Sequence, residues 1–339
     1  MKQEIMLGDA VEVLRSMESG RFYTCITSPP YFGLRDYGVN GQIGLESTPE
    51  EYIARLVEVF REVRRVLRDD GTLWVNIGDS YAGSGKGRYA DGHHSEGAKQ
   101  STNAGSIVGK LNKTRAQGCK TKDLIGIPWM LAFALRSDGW YLRQDIVWNK
   151  SNAMPESVKD RCTRSHEYIF LMSKSPRYYF DAETIREPRV SEKNDAVAGS
   201  LGAFGPPQKR RRGSGCKERI LRQTPTPHLG GHIPYSGEQE KRNRRDVWTI
   251  STGGYKGAHF ATFPEKLVEP CVLAGCPSGG AVLDPFAGSG TTGAVAKRLR
   301  REFVGIEINE EYAALARRRI EEAEEPMEQL RIEEAAGEH

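Results

Sequence analysis

Two stretches of this 339-residue chain carry residue types that could do chemistry together. The first reads Ala281-Val-Leu-Asp284-Pro-Phe286-Ala-Gly288-Ser-Gly290-Thr291-Thr292: an apolar run, a carboxylate, a glycine turn, then helix-forming residues. Glu307 closes the next apolar run, 23 positions after Asp284. In nucleotide-binding α/β sheets an acid at about this spacing grips ribose hydroxyls, and glycines let a ligand approach the backbone. Gly288-Ser-Gly290-Thr-Thr-Gly293 matches G-x-G-x-x-G literally, so a nicotinamide dinucleotide is one reading. Asp284 argues against it, because a carboxylate at the mouth of the turn repels pyrophosphate. It suits a cationic ligand carrying an ammonium and a sulfonium. A P-loop is excluded, since no Lys follows the glycines. An ordinary strand–turn–helix is the bland alternative.

The second stretch is Thr27-Ser28-Pro29-Pro30-Tyr31. Proline pairs commonly mark turns and nothing more. Here they end a strand-like run, where two residues without N–H groups leave a rigid, open ledge. At the carboxyl end of a parallel strand, that ledge would stand where ligands sit. An exocyclic amino group is a poor nucleophile, because its lone pair is delocalised into the base ring. The Ser28 hydroxyl and the Pro29 carbonyl together could accept its two hydrogens and favour a tetrahedral nitrogen, with the lone pair aimed at a methyl sulfonium. Tyr31 offers a face for a flipped base, worth ~1–3 kcal/mol of stacking. No Pro-Cys pair lies near, as carbon-5 cytosine methylation would want, and Cys25 inside the strand reads as core.

The elements that must position these groups follow from periodicity. Strands are expected at Ile5–Leu7, Phe22–Thr27, Thr72–Ile77, Tyr141–Trp148, Tyr168–Ser173, Ala281–Asp284 and Phe303–Ile308. A short helix is expected at Val11–Met17. Thr48 reads as the N-cap of another, with Pro49 at its first position and Glu51 completing a capping box. Ile53, Leu56, Val57, Phe60, Val63 and Leu67 carry that helix to a stop near Gly71. Strand, helix, strand in this order predicts a parallel βαβ crossover. Helices are also expected around Ile127–Arg136, at Pro264–Ala274, up to about Leu299, and from Glu310 on. Tyr81–Lys122 reads as a mobile loop, and Ile185–Arg245 loses periodicity altogether, which marks a functional or disordered segment.

Composition points the same way. With 38% apolar and 28% charged residues the chain is ordinary for a globular protein, and no apolar run approaches the ~18–20 residues of a spanning helix. The N-terminus enters a strand directly, without a signal-peptide pattern. The six cysteines, Cys25, Cys119, Cys162, Cys216, Cys271 and Cys276, form no CxxC pair or zinc-like cluster, so a reducing cytoplasm and no metal are expected. The net charge of +4 hides an asymmetry: residues 81–122 carry eight Lys/Arg against two acids, and residues 186–245 fourteen against six, leaving −10 on the rest. Two basic stretches on an acidic body suit a polyanion such as nucleic acid, although solvated loops would show the same charge.

Taken together these residues resemble the DNA amino-methyltransferases in the permuted arrangement called the β group. There the target-base motif precedes the cofactor motif, as Ser28–Tyr31 precede Asp284–Thr292. The resemblance covers about residues 1–180 and 246–320. It implies a Rossmann-like α/β methyltransferase fold, circularly permuted, with a mostly parallel twisted sheet, helices on both faces and irregular basic inserts. The catalytic domain would comprise 1–184 and 246–325, with 185–245 as a target-recognition insert and 326–339 as a flexible tail. The implied cofactor is S-adenosylmethionine. Ser28, Pro29, Pro30 and Tyr31 would be catalytic, and Asp284, Phe286, Gly288, Gly290, Thr291, Thr292 and Glu307 would bind the cofactor. His259-Phe-Ala-Thr262-Phe263-Pro264-Glu-Lys266 resembles the segment that packs on the methionine moiety, which adds Thr262 and Phe263, and Asp9 takes the place of an acid at the adenine end.

By the same resemblance Asp145–Lys150 and Ser165-His166-Glu167 flank the flipped base, with Trp148 equally readable as core. The Arg244-Arg245-Asp246-Val-Trp248 exit from the insert also matches the family. The implied activity is site-specific methylation of duplex DNA by base flipping. Ser-Pro-Pro-Tyr favours N4 of cytosine, and adenine N6 is the alternative. An RNA or protein-amide methyltransferase, a non-catalytic DNA-binding module and a nicotinamide oxidoreductase stand further off. Double-stranded DNA is the expected partner, a cognate restriction nuclease is a candidate, and monomer and homodimer both remain open.

Overall fold

Both parities of most strands are apolar, which is what a sheet covered on two faces requires. In the computed structural model, which describes residues 1–34, 38–83, 118–188, 241–253 and 263–324, this pattern builds one mixed sheet. Its strands are β1 (Gln3–Leu7), β2 (Phe22–Thr27), β3 (Leu67–Ile77), β4 (Tyr141–Asn149), β5 (His166–Ser173), β8 (Val247–Thr249), β9 (Ala281–Asp284) and β10 (Glu302–Glu307). They lie in the order β1-β10-β9-β2-β3-β5-β4-β8. Neighbours are parallel except at β5, which runs antiparallel to both β3 and β4. The late strands β9 and β10 sit between β1 and β2, the spatial signature of the permuted order.

On one face α1 (Ala10–Arg15), α2 (Pro49–Val66) and α3 (Ile127–Ser137) share one apolar cluster with Leu73, Val75 and Ile77 of β3. On the other, α4 (Glu265–Gly275), α5 (Thr291–Arg298) and α6 (Glu310–Glu322) form a second apolar cluster with Trp74 of the same strand, Ile26 and Val282. Leu56, Val59, Phe60 and Val63 of α2 are fully buried, each worth roughly 1.5–3 kcal/mol of transfer free energy. The start of α2 is the capping box read from the sequence: Glu51 N–H donates to Thr48 Oγ1 at 3.1 Å, and Thr48 N–H to Glu51 Oε2 at 3.3 Å.

Its end differs from the expectation. The helix stops at Val66, and Leu67 is already extended (φ −72°, ψ 145°) and begins β3. Leu67 pairs with Phe22, while Thr72 pairs with Thr24, so Arg68–Gly71 bulge out of register. An apolar residue at the seam satisfies both periodicities, which is why helical spacing alone overran it.

The chain divides into two compact units, Met1–Ile185 with Arg245–His339, and Arg186–Arg244. Of the second, the described residues form an antiparallel pair, β6 (Glu187–Pro188) with β7 (Lys241–Arg242), tied by an Arg242–Glu187 ion pair at 2.8 Å. Most of the 81–122 loop, most of the 185–245 insert, the His259–Thr262 stretch and the 326–339 tail lie outside the described residues. Among the described residues no helix is long and apolar enough to cross a membrane, and no cluster of His, Cys, Asp and Glu could hold a metal ion.

Candidate active site

The two chemistry-bearing stretches end on neighbouring strands. β2 pairs directly with β9, Thr24 opposite Val282 and Cys25 opposite Leu283, so Ser28 and Pro285 leave the sheet side by side at its carboxyl edge. One cleft opens there. Its walls include Ser28, Pro29, Pro30 and Tyr31 on one side and Phe286, Gly288 and Glu307 on the other.

Asp284 is not at the mouth of this cleft, as the sequence suggested, but beneath it. It is 1% exposed. Thr27 Oγ1 donates to its Oδ1 at 2.6 Å, Thr292 Oγ1 to its Oδ2 at 2.7 Å, and the Phe286 N–H to its Oδ1 at 3.0 Å. The carboxylate thus stitches β2, the glycine turn and α5 into one unit. Burial pushes its pKa up to about 6, against those three hydrogen bonds and with help from the nearby Glu307 charge. The missed signal was the hydroxyl pair, since Thr27 directly precedes the ledge and Thr292 lies in the first turn of the helix.

Glu307, at the end of β10, does line the cleft. Its oxygens accept from the Gly288 N–H at 2.8 Å and the Asn309 N–H at 2.9 Å, and the Ile308 N–H adds a third backbone donor, which together fix the carboxylate. Burial raises its pKa, opposed by these N–H donors. Gly288 (φ +52°) has no neighbour closer than 3.9 Å to where a Cβ would stand, so ligand can approach the backbone there. Gly290 serves packing: at φ +77°, an added Cβ would meet the Ala316 Cα of α6 at 2.9 Å. Gly290→Ala should therefore cost about 2 kcal/mol or more through left-handed strain plus a backbone clash, read as a lowered Tm. Behind the turn, Arg319 donates to Ser289 Oγ and Thr291 Oγ1, both at 2.9 Å, and to Glu265 at 2.8 Å. Nothing in the sequence singled out Arg319, which reaches Thr291 from 28 residues away.

The ledge is equally constrained. Tyr52, buried in α2, donates its hydroxyl to the Pro30 carbonyl at 2.8 Å. That bond takes the second proline's acceptor and leaves the first, Pro29 C=O, without a hydrogen bond among the described residues. The Tyr31 hydroxyl donates to Glu167 Oε2 at 2.8 Å, and burial first, then the Glu167 charge, push the phenol's pKa well up. Trp148 resolves as core: it is 3% exposed, with its indole N–H on the Ile250 carbonyl at 2.8 Å. Cys25 is core as well, fully buried.

The structure therefore brings Ser28, Pro29, Pro30, Tyr31, Asp9, Phe263, Phe286, Gly288, Thr291 and Glu307 to one cleft. Asp284, Gly290 and Thr292 support it without lining it, and Thr262 lies outside the described residues. Asp9 is also the N-cap of α1, accepting from Val11 and Glu12 N–H groups. Gln42, Ile43 and Tyr312 line the cleft too and carried no motif in the sequence. A fixed carboxylate suited to ribose hydroxyls, apolar walls at Phe286 and Ile308, and a buried anion beneath fit a nucleoside with a cationic tail, as S-adenosylmethionine is.

Comparison with known proteins agrees with this geometry. The Type II methyltransferase M.SmaI of Serratia marcescens is 48% identical over 317 residues, covering 94% of this chain and 90% of its own length. M.Cfr9I of Citrobacter freundii is 46% identical over 314 residues, covering 93% and 86%. Among solved structures, the PvuII cytosine-N4-specific DNA methyltransferase shares the fold at TM-score 0.58 and 19% identity, over 97% of this chain and 90% of its own. A DNA modification methylase from Thermus thermophilus, complexed with S-adenosyl-L-methionine, does so at TM-score 0.54 and 21% identity, over 95% and 94%. The family model described as DNA methylase, which groups N6 and N4 methyltransferases, matches residues 22–318, and the chain belongs to that family.

Proposed function

We propose that this DNA methylase methylates the exocyclic N4 amino group of cytosine at a defined site in duplex DNA, with S-adenosylmethionine as donor. The observation that carries the reading is the shared cleft, which the Ser28–Pro29 acceptor pair at the end of β2 lines together with Gly288 of the turn after the neighbouring β9 and Glu307 at the end of β10, one strand further. S-adenosylmethionine supplies an electrophilic methyl on a sulfonium. Glu307 and the glycine turn orient its nucleoside, with Phe263 and Asp9 as further contacts. The Ser28 hydroxyl and the Pro29 carbonyl accept the two amino hydrogens and draw the nitrogen lone pair out of conjugation. Tyr31 stacks on the base, which must leave the duplex to reach the cleft. The basic surplus of residues 81–122 and 186–245 supports phosphate contact, with the insert as the reader of sequence.

Serine at the ledge's first position favours cytosine N4, and the structural likeness to a cytosine-N4-specific enzyme, though one of fold alone, is in keeping with it. The Type II relatives support action at a defined sequence. Mass spectrometry of nucleosides from DNA of cells expressing the chain should show N4-methylcytosine. N6-methyladenine instead would overturn the choice of base, and neither product would overturn the activity.

A further inference from the structure

Beside the ledge stands a charged cluster that the reaction as described leaves unused. Glu167 accepts three donors on its two oxygens: the Tyr31 hydroxyl at 2.8 Å and Asn76 Nδ2 at 3.2 Å on Oε2, and the Lys150 ammonium on Oε1. Its side chain is 13% exposed and that of Lys150 21%. A mostly buried ion pair is weak evidence for stability, because desolvation consumes most of the Coulombic gain. What it does secure is direction.

Three strand ends contribute to it. Asn76 comes from β3, Glu167 from β5 and Lys150 from just beyond β4, with Trp148 opposite Glu167 and Ile77 opposite Tyr168. Because β5 alone runs antiparallel, its first residues lie at the carboxyl edge where the ledge is. Each member of the cluster is itself held. Asn76 Nδ2 also donates to the Tyr168 carbonyl at 3.1 Å, and the Lys150 ammonium sits over the Trp148 ring, 4.6 Å from its centroid. On the flank of Tyr31 the chain has glycine: a Cβ on Gly78 would stand 2.7 Å from Tyr31 Cε2. The ring thus lies close on backbone along one side and is tethered at its hydroxyl.

We propose that Glu167, oriented by Lys150 and Asn76, is a positioning residue for methyl transfer, holding the Tyr31 ring as a fixed platform for the target base. The inference rests on the reading of Ser28–Tyr31 as the base-binding ledge. It assigns the Tyr31 hydroxyl an anchoring role and leaves stacking to the ring.

The test is transfer of tritiated methyl to unmethylated phage genomic DNA, with cofactor affinity measured by calorimetry. Tyr31→Phe keeps the stacking face but removes the tether together with the hydroxyl contact to Ser28, whereas Glu167→Gln removes the anion and leaves that contact in place. A hydrogen bond to a charged group is worth ~1.5–3 kcal/mol, so each should lower kcat by about tenfold or more. Cofactor Kd and KM for DNA should stay within about twofold, and the double variant should fall no further than the worse single. Glu167→Gln should also move the Tyr31 phenol titration to lower pH, followed by carbon-13 tyrosine NMR with the signal assigned by its loss in Tyr31→Phe.

Full kcat in both single variants, with Tyr31→Ala inactive, would overturn the positioning role and leave the ledge intact. Additive losses, or an unmoved phenol titration, would also overturn it. Full activity in Tyr31→Ala would overturn the ledge reading itself. Should Glu167→Gln fail to fold, Lys150→Gln, which leaves Tyr31 and Ser28 untouched, takes its place: a lowered kcat is expected, and an unchanged one would overturn the positioning role.

Discussion

Ser28→Ala is expected to lower kcat for methyl transfer by about 10²–10³, the usual loss when one aligned hydrogen-bonding group of a preorganised site is removed. The serine hydroxyl lies at the carboxyl end of β2 and lines the cleft, next to a proline carbonyl that has no other partner among the described residues. With the hydroxyl gone, one amino hydrogen of the target base loses its acceptor, and the nitrogen keeps its lone pair in conjugation. Cofactor Kd should change by less than about twofold, because the Glu307 and Gly288 contacts are on the opposite wall. Ser28→Asn, which restores an acceptor, should recover part of the rate. Single-turnover transfer and calorimetric cofactor binding on the same preparations separate these effects. Undiminished transfer by Ser28→Ala would remove the acceptor pair from the mechanism.

Asp284→Asn is expected to weaken S-adenosylmethionine binding by about tenfold or more while raising the protein's Tm. Both effects follow from burial. The carboxylate is 1% exposed, with a pKa pushed up to about 6, so near neutral pH it is a buried anion under the cofactor cleft. Its charge attracts a sulfonium and an ammonium, at an effective dielectric where such interactions are worth a few kcal/mol. The same charge opposes folding. The unfolded carboxyl ionises near its ordinary value, and the folded one only near 6, so the native state binds the extra proton between them. Stability therefore falls as pH rises through that window, by roughly 3 kcal/mol for two pKa units, and stays low above it.

Asparagine abolishes that cost but must re-pair Thr27, Thr292 and the Phe286 N–H, so a net gain of about 1 kcal/mol is the expected result. Wild-type affinity should weaken as pH falls through about 6, and the variant's should not. The neutral thioether product, S-adenosylhomocysteine, should lose less affinity than the sulfonium donor. Equal losses for the two ligands would show that Asp284 acts through the shape of the turn and not through its charge.

Local patterns carried much of this protein. The Thr48-Pro49-Glu51 start of α2, the strand ends at Thr27 and Asp284, and the glycine turn were legible because capping, proline chemistry and residue periodicity act over four or five residues. The resemblance drawn from Ser28–Tyr31 and Asp284–Thr292 identified the family for a related reason: a motif keeps its chemistry wherever its strand sits. The end of α2 was not legible, since Leu67 satisfies helix and strand spacing alike and only its pairing with Phe22 decides.

Tertiary structure alone decided the rest. Strand order, with β9 inserted beside β2, is set by how two apolar faces are best covered, and no short-range pattern encodes it. That order takes Asp284 from the mouth of the cleft, where the sequence placed it, to a buried position clamped by Thr27 and Thr292. It also turns Glu167, 136 positions from Tyr31, into the partner of its hydroxyl. The sequence named the groups expected to do the chemistry. Which of them meet solvent, ligand or one another depends on burial and on distances between strand ends, quantities that exist only once the sheet has closed.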